Sequence, residues 1–178
     1  MNTEKKLLTP NFWVLTLMVF GAALARLIPH PPNFAPIAAM ALFGGAYFSK
    51  KTFAFIIPLA ALFISDLVIG IYSYAWMVYL SFALIVILGI VMLKKISVKN
   101  LIVASLSASI SFFVITNFGV WALGTLYPKT PAGLMESYIA AIPFLQYSLI
   151  GDLVFVGLMF GVYELIKAKV PALQTIKA

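Results

Sequence analysis

Residues 26–48 read Arg26-Leu-Ile-Pro-His-Pro-Pro-Asn-Phe-Ala-Pro-Ile-Ala-Ala-Met-Ala-Leu-Phe-Gly-Gly-Ala-Tyr-Phe48, and this stretch determines how the rest of the chain is interpreted. Proline has a fixed φ and no backbone N–H, so residues 29–32 cannot lie inside a regular helix. The Ala/Gly-rich residues that follow allow another helix to approach closely, and Gly44-Gly45 is expected to be a packing notch. We therefore expect a stiff loop that leads into a short, tightly packed membrane helix. The loop is the first place to look for a binding site.

The chain as a whole has the composition of a polytopic membrane protein, because 63% of its 178 residues are hydrophobic and 10% are charged. Soluble domains carry far more charge. The apolar segments are long enough for membrane helices, whereas barrel strands are shorter and alternate polar with apolar residues. We therefore predict an all-α fold in which residues 1–178 form a single domain of six transmembrane helices. The predicted spans are residues 11–28, 33–48, 53–71, 74–93, 101–125 and 139–166.

The positive charges are distributed unevenly around these spans. Ten of the twelve Lys and Arg side chains lie in the terminal segments or the even-numbered loops, and only Arg26 and Lys129 lie in the odd-numbered loops. Loops rich in Lys and Arg stay on the cytoplasmic side, so both termini are predicted to be cytoplasmic. This topogenic role explains the net charge of +7 without a nucleic acid partner. The first segment is similar to a signal peptide that ends at Ala25, but it continues to Ile28 and is expected to remain as a span.

Two aspartates, Asp66 and Asp152, lie within predicted spans, where an aspartate at the helix centre costs about 2.5–3.5 kcal/mol. Such groups usually pair inside the protein or mark a pathway. One interpretation is that Arg26 pairs with one of the two aspartates and pins helices together. The other is that these groups contact a polar solute. Asn117 likewise suits either an interhelical hydrogen bond or a ligand contact.

The solute interpretation predicts a pocket that opens outward, lined by side chains at the outer ends of the spans. Arg26 would hold an anionic group, Asp66 or Asp152 would hold a cationic or N–H group, and aromatic side chains would stack on a ring. Residues 126–138 are expected to form a loop long enough to act as a lid. The predicted lining residues are Arg26, His30, Asn33, Asp66, Trp76, Tyr79, Asn117, Trp121, Gln146 and Asp152.

The sequence contains no pattern that indicates catalysis, a metal site or a cofactor. The patterns His-Glu-x-x-His, Gly-x-Ser-x-Gly and Gly-x-x-x-x-Gly-Lys are all missing. His30 is the only histidine and the chain has no cysteine, whereas a zinc site needs three or four convergent ligands. We therefore expect a protein that is not an enzyme. Transport driven by ATP would require a separate subunit that supplies the nucleotide site.

A resemblance to known proteins covers nearly the whole chain. The run from Pro32 to Phe48, together with Ser65-Asp66-Leu67 and Asn117-Phe118-Gly119-Val120-Trp121, resembles an uncharacterised bacterial family that is assigned to transport. That family is often grouped with the substrate-binding S components of energy-coupling-factor (ECF) vitamin transporters. A small six-span chain with both ends inside and no ATPase motif resembles those S components as well.

The resemblance implies a six-helix bundle in the bacterial cytoplasmic (inner) membrane that captures a vitamin-like solute from outside. The loop between the first two spans would cover the site. The implied partners are the solute, the lipid bilayer, a transmembrane coupling subunit and two cytoplasmic ATPase subunits. S components typically dock through an Ala-x-x-x-Ala face of the first helix. The nearest matches are Gly21-x-x-x-Ala25 in the first span and Ala35-x-x-x-Ala39 in the second.

Two other functions remain open at this point. A stand-alone, proton-coupled carrier would use the aspartates to take up and release protons. A structural subunit or assembly factor would use Arg26 and the aspartates only to hold helices together. Uptake that needs a proton gradient but no ATPase favours the carrier, and an outer side without a cavity favours the structural subunit.

Overall fold

The structure, a computed structural model, describes residues 9–71 and 75–174, and it contains helices but no β-strand in those two ranges. The predicted all-α class is therefore confirmed for that part of the chain. The residues Lys5, Lys6, Tyr72, Ser73, Tyr74 and Lys177 lie outside the described residues. The helices are α1 (Pro10–Ala25), α2 (Ile37–Tyr47), α3 (Lys51–Ile69), α4 (Ala75–Met92), α5 (Val98–Leu123), α6 (Pro131–Lys169) and α7 (Pro171–Gln174).

Helix α2 lies at the centre of the bundle, where it contacts α1, α3, α4, α5 and α6. Its sequence is apolar on every face, and all residues from Ala38 to Gly45 are buried. Phe43 packs edge-on against Phe160 of α6, with 5.3 Å between the ring centroids. A helix that is apolar all round belongs in the interior. The predicted short, tightly packed helix is thus confirmed, and it forms the core of the fold.

Glycines allow the neighbours of α2 to approach its backbone closely. A Cβ added to Gly45 would lie 2.3 Å from the carbonyl oxygen of Val86, and one added to Gly89 would lie 3.2 Å from the Cα of Gly45. A Cβ added to Gly44 would lie 2.4 Å from Cγ of Pro58 in α3. Gly45 therefore meets α4 and Gly44 meets α3, which confirms the packing notch expected from this pair.

Four of the helices, α3 to α6, are long and apolar enough to cross a membrane, which indicates a membrane protein. At 1.5 Å per residue, the 16 residues of α1 extend about 24 Å and the 11 residues of α2 about 17 Å. Both lengths are below the hydrocarbon thickness of about 30 Å. The 39 residues of α6 extend about 58 Å, so this helix is far longer than one crossing requires.

Helix α6 begins eight residues before the predicted span, at residue 131 rather than 139. Thr130 caps it by accepting a hydrogen bond from the N–H of Gly133 at 3.2 Å, and Pro131 occupies the first turn, where its missing N–H is not needed. The prediction that residues 126–138 form a lid loop is therefore wrong. Most of that segment is the first two turns of α6.

Prolines also set the ends of the first two helices. Helix α1 ends at Ala25, because the next N–H groups bond to carbonyls three residues back and Pro29 then prevents continuation. Helix α2 begins at Ile37, immediately after Pro36. The short helix α7, which the sequence did not predict, contacts α1 and α6 and buries Leu173.

One end of the bundle collects most of the lysines, and we call it the basic end. Two bonds bring its helix ends together: the Tyr47 hydroxyl donates to Glu164 at 2.7 Å, and the Tyr163 hydroxyl donates to Asn11 at 2.7 Å. The start of α1, the end of α2 and the end of α6 therefore meet there. The lysines next to these helix ends, in the α4–α5 connection and in the first turns of α3 and α5 are Lys50, Lys51, Lys94, Lys95, Lys99, Lys167 and Lys169.

Candidate functional site

Arg26 and Asp66 form an ion pair between the end of α1 and the end of α3, with 2.7 Å between Nη2 and Oδ1. Their side chains are only 9% and 11% exposed. Arg26 also donates to the hydroxyl of Ser65 and to the carbonyl oxygen of Leu62, and the Tyr79 hydroxyl donates to Oδ2 of Asp66 at 2.8 Å. Of the two pairs considered from the sequence, the structure thus contains Arg26–Asp66. We call these bonds the arginine clasp, since they tie α1, α3 and α4 together.

Two neighbouring cavities lie between the α1–α2 loop, α5 and α6, and α4 completes the wall of one while α2 completes the wall of the other. The larger has a volume of about 180 Å³ and is called the asparagine cavity. The smaller has a volume of about 20 Å³ and is called the aspartate cavity. No residue of the arginine clasp lines either one. The polar residues of the first are Asn33, Thr116 and Asn117, those of the second are Asn33, Ser148 and Asp152, and Phe112 belongs to both walls.

The aspartate cavity contains a buried carboxylate without a cationic partner. Asp152 is 5% exposed, and the hydroxyl of Ser109 donates to its Oδ2 at 2.6 Å. Its Oδ1 makes no hydrogen bond or ion pair with any residue that the structure describes. Ser105, one turn away on α5, has a buried hydroxyl that also lacks a partner within the described chain. This part of the bundle therefore contains polar groups that the helices themselves do not satisfy.

The remaining polar groups of the two cavities offer both hydrogen-bond acceptors and amide donors. Thr116 and Ser148 donate their hydroxyl hydrogens, and Asn117 one amide hydrogen, each to the carbonyl four residues earlier in its own helix, at 2.7, 3.2 and 2.8 Å. The hydroxyl donors are therefore already engaged. What is left for a ligand is the oxygen lone pairs of the hydroxyls and of the Asn117 carbonyl, together with the second N–H of Asn117 and the side-chain amide of Asn33.

The α1–α2 loop is fastened to α6 beside these cavities. A Cβ on Gly151 would lie 3.1 Å from the ring of Phe34, which also packs against Phe155 with 5.5 Å between centroids. Asn33, the preceding residue, has a φ of 63°, which is the one positive value among the described non-glycine residues. Asparagine tolerates this conformation, and residues held in it are concentrated at functional sites. The loop thus places Asn33 in the wall of both cavities.

Several predicted site residues lie elsewhere. His30 and Gln146 are exposed, and Trp76 is 51% exposed. Trp121 donates its indole N–H to the carbonyl oxygen of Pro128 at 2.9 Å, within the α5–α6 connection. None of the four lines either cavity. The structure therefore divides the predicted single pocket into the arginine clasp, the two cavities and a set of surface residues.

Comparison with known proteins identifies one matching family. Residues 6–173 match the model of DUF6580, a family of unknown function. The chain belongs to this family. No curated protein and no solved structure matches it. Membership of the family names neither a solute nor a partner, so the similarity to S components stays a prediction.

The small-residue faces that were predicted for docking differ from each other in the structure. Ala35 and Ala39 are buried around the central helix, so they form a packing face inside the bundle and are not open to a separate coupling helix in this structure. A Cβ on Gly21 would meet no atom within 4 Å, whereas Ala25 is half-buried. The face around Gly21 on α1 is therefore open on the outside of the bundle.

Sequence reasoning missed a second open face, on α6. Gly157 and Gly161 form a Gly-x-x-x-Gly pair, and a Cβ on either would meet no atom within 4 Å. They lie along an apolar groove of about 400 Å³ between α5 and α6. The four-residue glycine spacing was the signal that could have found it. Such apolar surface is normally covered by lipid in a membrane protein.

Sequence reasoning also missed Ser109 and Thr116 as members of the site. Ser105 and Ser109 are four residues apart on α5, so they share one face of that helix. Serine pairs at this spacing inside an apolar helix were the available signal. The polar face that they form is the one that meets Asp152.

Proposed function

We propose that the protein is the substrate-binding membrane component of an importer of the energy-coupling-factor type, and that it captures a vitamin-like small solute. The asparagine cavity is the observation that supports this most directly. It has a volume of about 180 Å³ and oxygen acceptors in its wall, and the α1–α2 loop borders it. Ligand pockets commonly measure about 300–1,000 Å³, so the cavity suits a solute smaller than a drug-sized molecule. A subunit that only holds helices together has no need of such a hollow.

The proposal includes the topology of the chain. All six apolar helices from α1 to α6 would belong to one domain in the bacterial cytoplasmic membrane, with α2 enclosed by the others. The basic end would face the cytoplasm together with both termini, because lysine-rich connections stay inside. The arginine clasp and the two cavities would then lie toward the outer side, where a solute arrives.

The proposed partners are a transmembrane coupling subunit and two cytoplasmic ATPase subunits, because the chain has no phosphate-binding loop of its own. A coupling helix would approach where small residues leave the outside of the bundle open. The face around Gly21 on α1 and the Gly157–Gly161 face on α6 both meet this requirement. The predicted Ala-x-x-x-Ala equivalent at Ala35 does not, since it is buried.

A pair of neighbouring alanines allows a sharp test of the binding site. Ala141 is buried and lines the asparagine cavity, whereas Ala140 is exposed on the outside of α6. Ala141→Phe fills the cavity, and Ala140→Phe adds the same ring elsewhere. The full-length protein in lipid nanodiscs would be titrated with a panel of radiolabelled vitamins.

We expect at least one member of the panel to bind wild type and Ala140→Phe with equal affinity, and Ala141→Phe to lose binding by more than tenfold. Equal binding by Ala141→Phe would move the site away from this cavity. A wild-type protein that binds no member of the panel, and that carries no small molecule when purified from its native membrane, would leave the structural subunit as the better proposal.

A stand-alone carrier is the second candidate, and one observation favours it. Asp152 is a buried carboxylate with no cationic partner among the described residues, as expected for a group that takes up and releases a cation or proton. Uptake into vesicles that contain only this chain distinguishes the two functions. ATP-independent uptake that collapses with the ion gradient supports the carrier, and uptake that requires added ATPase and coupling subunits supports the importer component.

A further inference from the structure

The aspartate cavity contains a buried carboxyl group without a cationic partner among the described residues, next to a space for one small particle. Asp152 is 5% exposed and its Oδ1 has no partner among the described residues. The cavity has a volume of about 20 Å³, and about 10–15 Å³ is enough for one water-sized particle. A buried carboxylate is unfavourable unless a positive charge or several donors compensate it.

The described residues provide no cationic partner for this carboxyl group. Its one donor among them is the Ser109 hydroxyl, and Arg26 is engaged with Asp66. The hydroxyl of Ser148 donates to its own helix, so its oxygen faces the cavity as an acceptor. Asn33 also lines this wall, and its amide group can supply a carbonyl oxygen. Oxygen acceptors around an ionised carboxylate are the ligands that a compact cation prefers.

We propose that the aspartate cavity binds one compact positive charge, held by Asp152 with Ser148 and Asn33 as oxygen ligands. The volume admits a bare monovalent ion or a primary ammonium group but not a quaternary ammonium. The charge has two possible sources: a free ion such as Na⁺, or the protonated amine of a solute whose remainder lies in the adjoining asparagine cavity. The second source rests on the proposed function, and the first is independent of it.

The experiment measures thermal unfolding of the full-length protein in nanodiscs at constant ionic strength. Tetramethylammonium chloride is replaced stepwise by NaCl, KCl or methylammonium chloride. Binding to the folded state alone raises the midpoint Tm, and at ten times Kd we expect a saturable rise of about 3–6 °C. A rise with NaCl or KCl identifies a free ion, and a rise with methylammonium alone identifies the amine of a solute.

Three variants assign the effect to the cavity. Asp152→Asn removes the charge and keeps the shape, so we expect it to be at least as stable as wild type in tetramethylammonium and to lose the cation-dependent rise. Ser148→Val fills the cavity and is expected to reduce the rise to about 1 °C or less. Glu164→Gln removes a carboxylate of the same helix that already bonds to Tyr47, so its rise should equal that of wild type.

The outcomes are distinct. If none of the three salts raises Tm beyond the tetramethylammonium baseline, or if Asp152→Asn retains the rise, the proposal is wrong and Asp152 is a neutral carboxyl beside a water-sized hollow. The same null result with vitamin binding intact would leave the proposed function standing. A cation-dependent rise without binding of any vitamin would support the cation site alone.

Discussion

The arginine clasp allows a prediction that separates a structural from a ligand-binding role for Arg26. In Arg26→Met, the carboxylate of Asp66 keeps the Tyr79 hydroxyl but loses its cation. Both side chains of the pair are about one-tenth exposed, at 9% and 11%, so solvent cannot replace the lost partner. Breaking a buried pair in this way costs about 3–5 kcal/mol. For a chain of this size, that lowers Tm by about 6–20 °C.

A double-mutant cycle also needs the variant that removes the charge of Asp66. Asp66→Asn leaves Arg26 with Ser65 and the carbonyl of Leu62 as partners, and we expect it to destabilise the protein as well. The double variant Arg26→Met/Asp66→Asn has no unpaired buried charge, and an amide can still accept from Tyr79. We therefore expect the double variant to be no less stable than Arg26→Met, so the coupling energy between the two residues is at least as large as the loss of stability caused by Asp66→Asn alone.

The assay is thermal unfolding of purified protein, combined with solute binding measured well below the lowest Tm. If the clasp is structural, the double variant retains wild-type affinity for any solute that the protein binds. Single effects that add within about 0.5 kcal/mol would show that the two residues are not coupled. Unchanged stability together with lost solute affinity would refute the clasp and return both side chains to the binding site.

Two further predictions concern packing and the basic end. Gly45→Ala should destabilise the bundle by about 1–3 kcal/mol or more, because the new Cβ would lie 2.3 Å from a backbone carbonyl oxygen of α4. Gly161→Ala should be neutral or stabilising by up to about 1 kcal/mol, because the new Cβ would meet no atom within 4 Å. Tyr47→Phe removes the 2.7 Å bond to Glu164 and should cost about 1 kcal/mol, and no extra loss is expected when Glu164→Gln is added. The two predictions are tested by measuring the Tm of each variant. Equal effects of Gly45→Ala and Gly161→Ala would contradict the helix packing, and additive effects of the Tyr47 and Glu164 variants would contradict the hydrogen bond between these residues.

The sequence predicted where helices begin and end better than it predicted which side chains face the interior. The prolines indicate where α1 ends and where α2 begins, because proline restricts the backbone locally. The glycines indicate that α2 packs tightly, because small residues let helices approach closely. The start of α6 was also readable, since Thr130-Pro131 is a strong N-terminal signal. Apolar content alone does not show this start, because residues 131–138 include Gly133 and Glu136.

Rotation about the axes was harder to predict because the helices are apolar on nearly every face. Apart from the serine pair on α5, few polar residues orient these helices, so the sequence could not show that Asp152 of α6 faces a cavity while Trp76 of α4 and Gln146 of α6 face outward. For the same reason it could not decide which aspartate pairs with Arg26. The depth of a residue along its helix can be counted from the sequence, whereas the direction in which its side chain points depends on packing between distant helices.

Two aspartates in similar local sequences have opposite surroundings, and this contrast bears most directly on function. Ser65-Asp66-Leu-Val ends α3 and Gly151-Asp152-Leu-Val lies within α6. Both oxygens of Asp66 are bonded, to Arg26 and Tyr79, so its charge is used within the fold. Asp152 is equally buried and has only one hydroxyl donor, beside a hollow lined with acceptors. A buried charge persists only if something compensates it, so an ionised Asp152 requires a partner from outside the described residues, which is what the cation test measures.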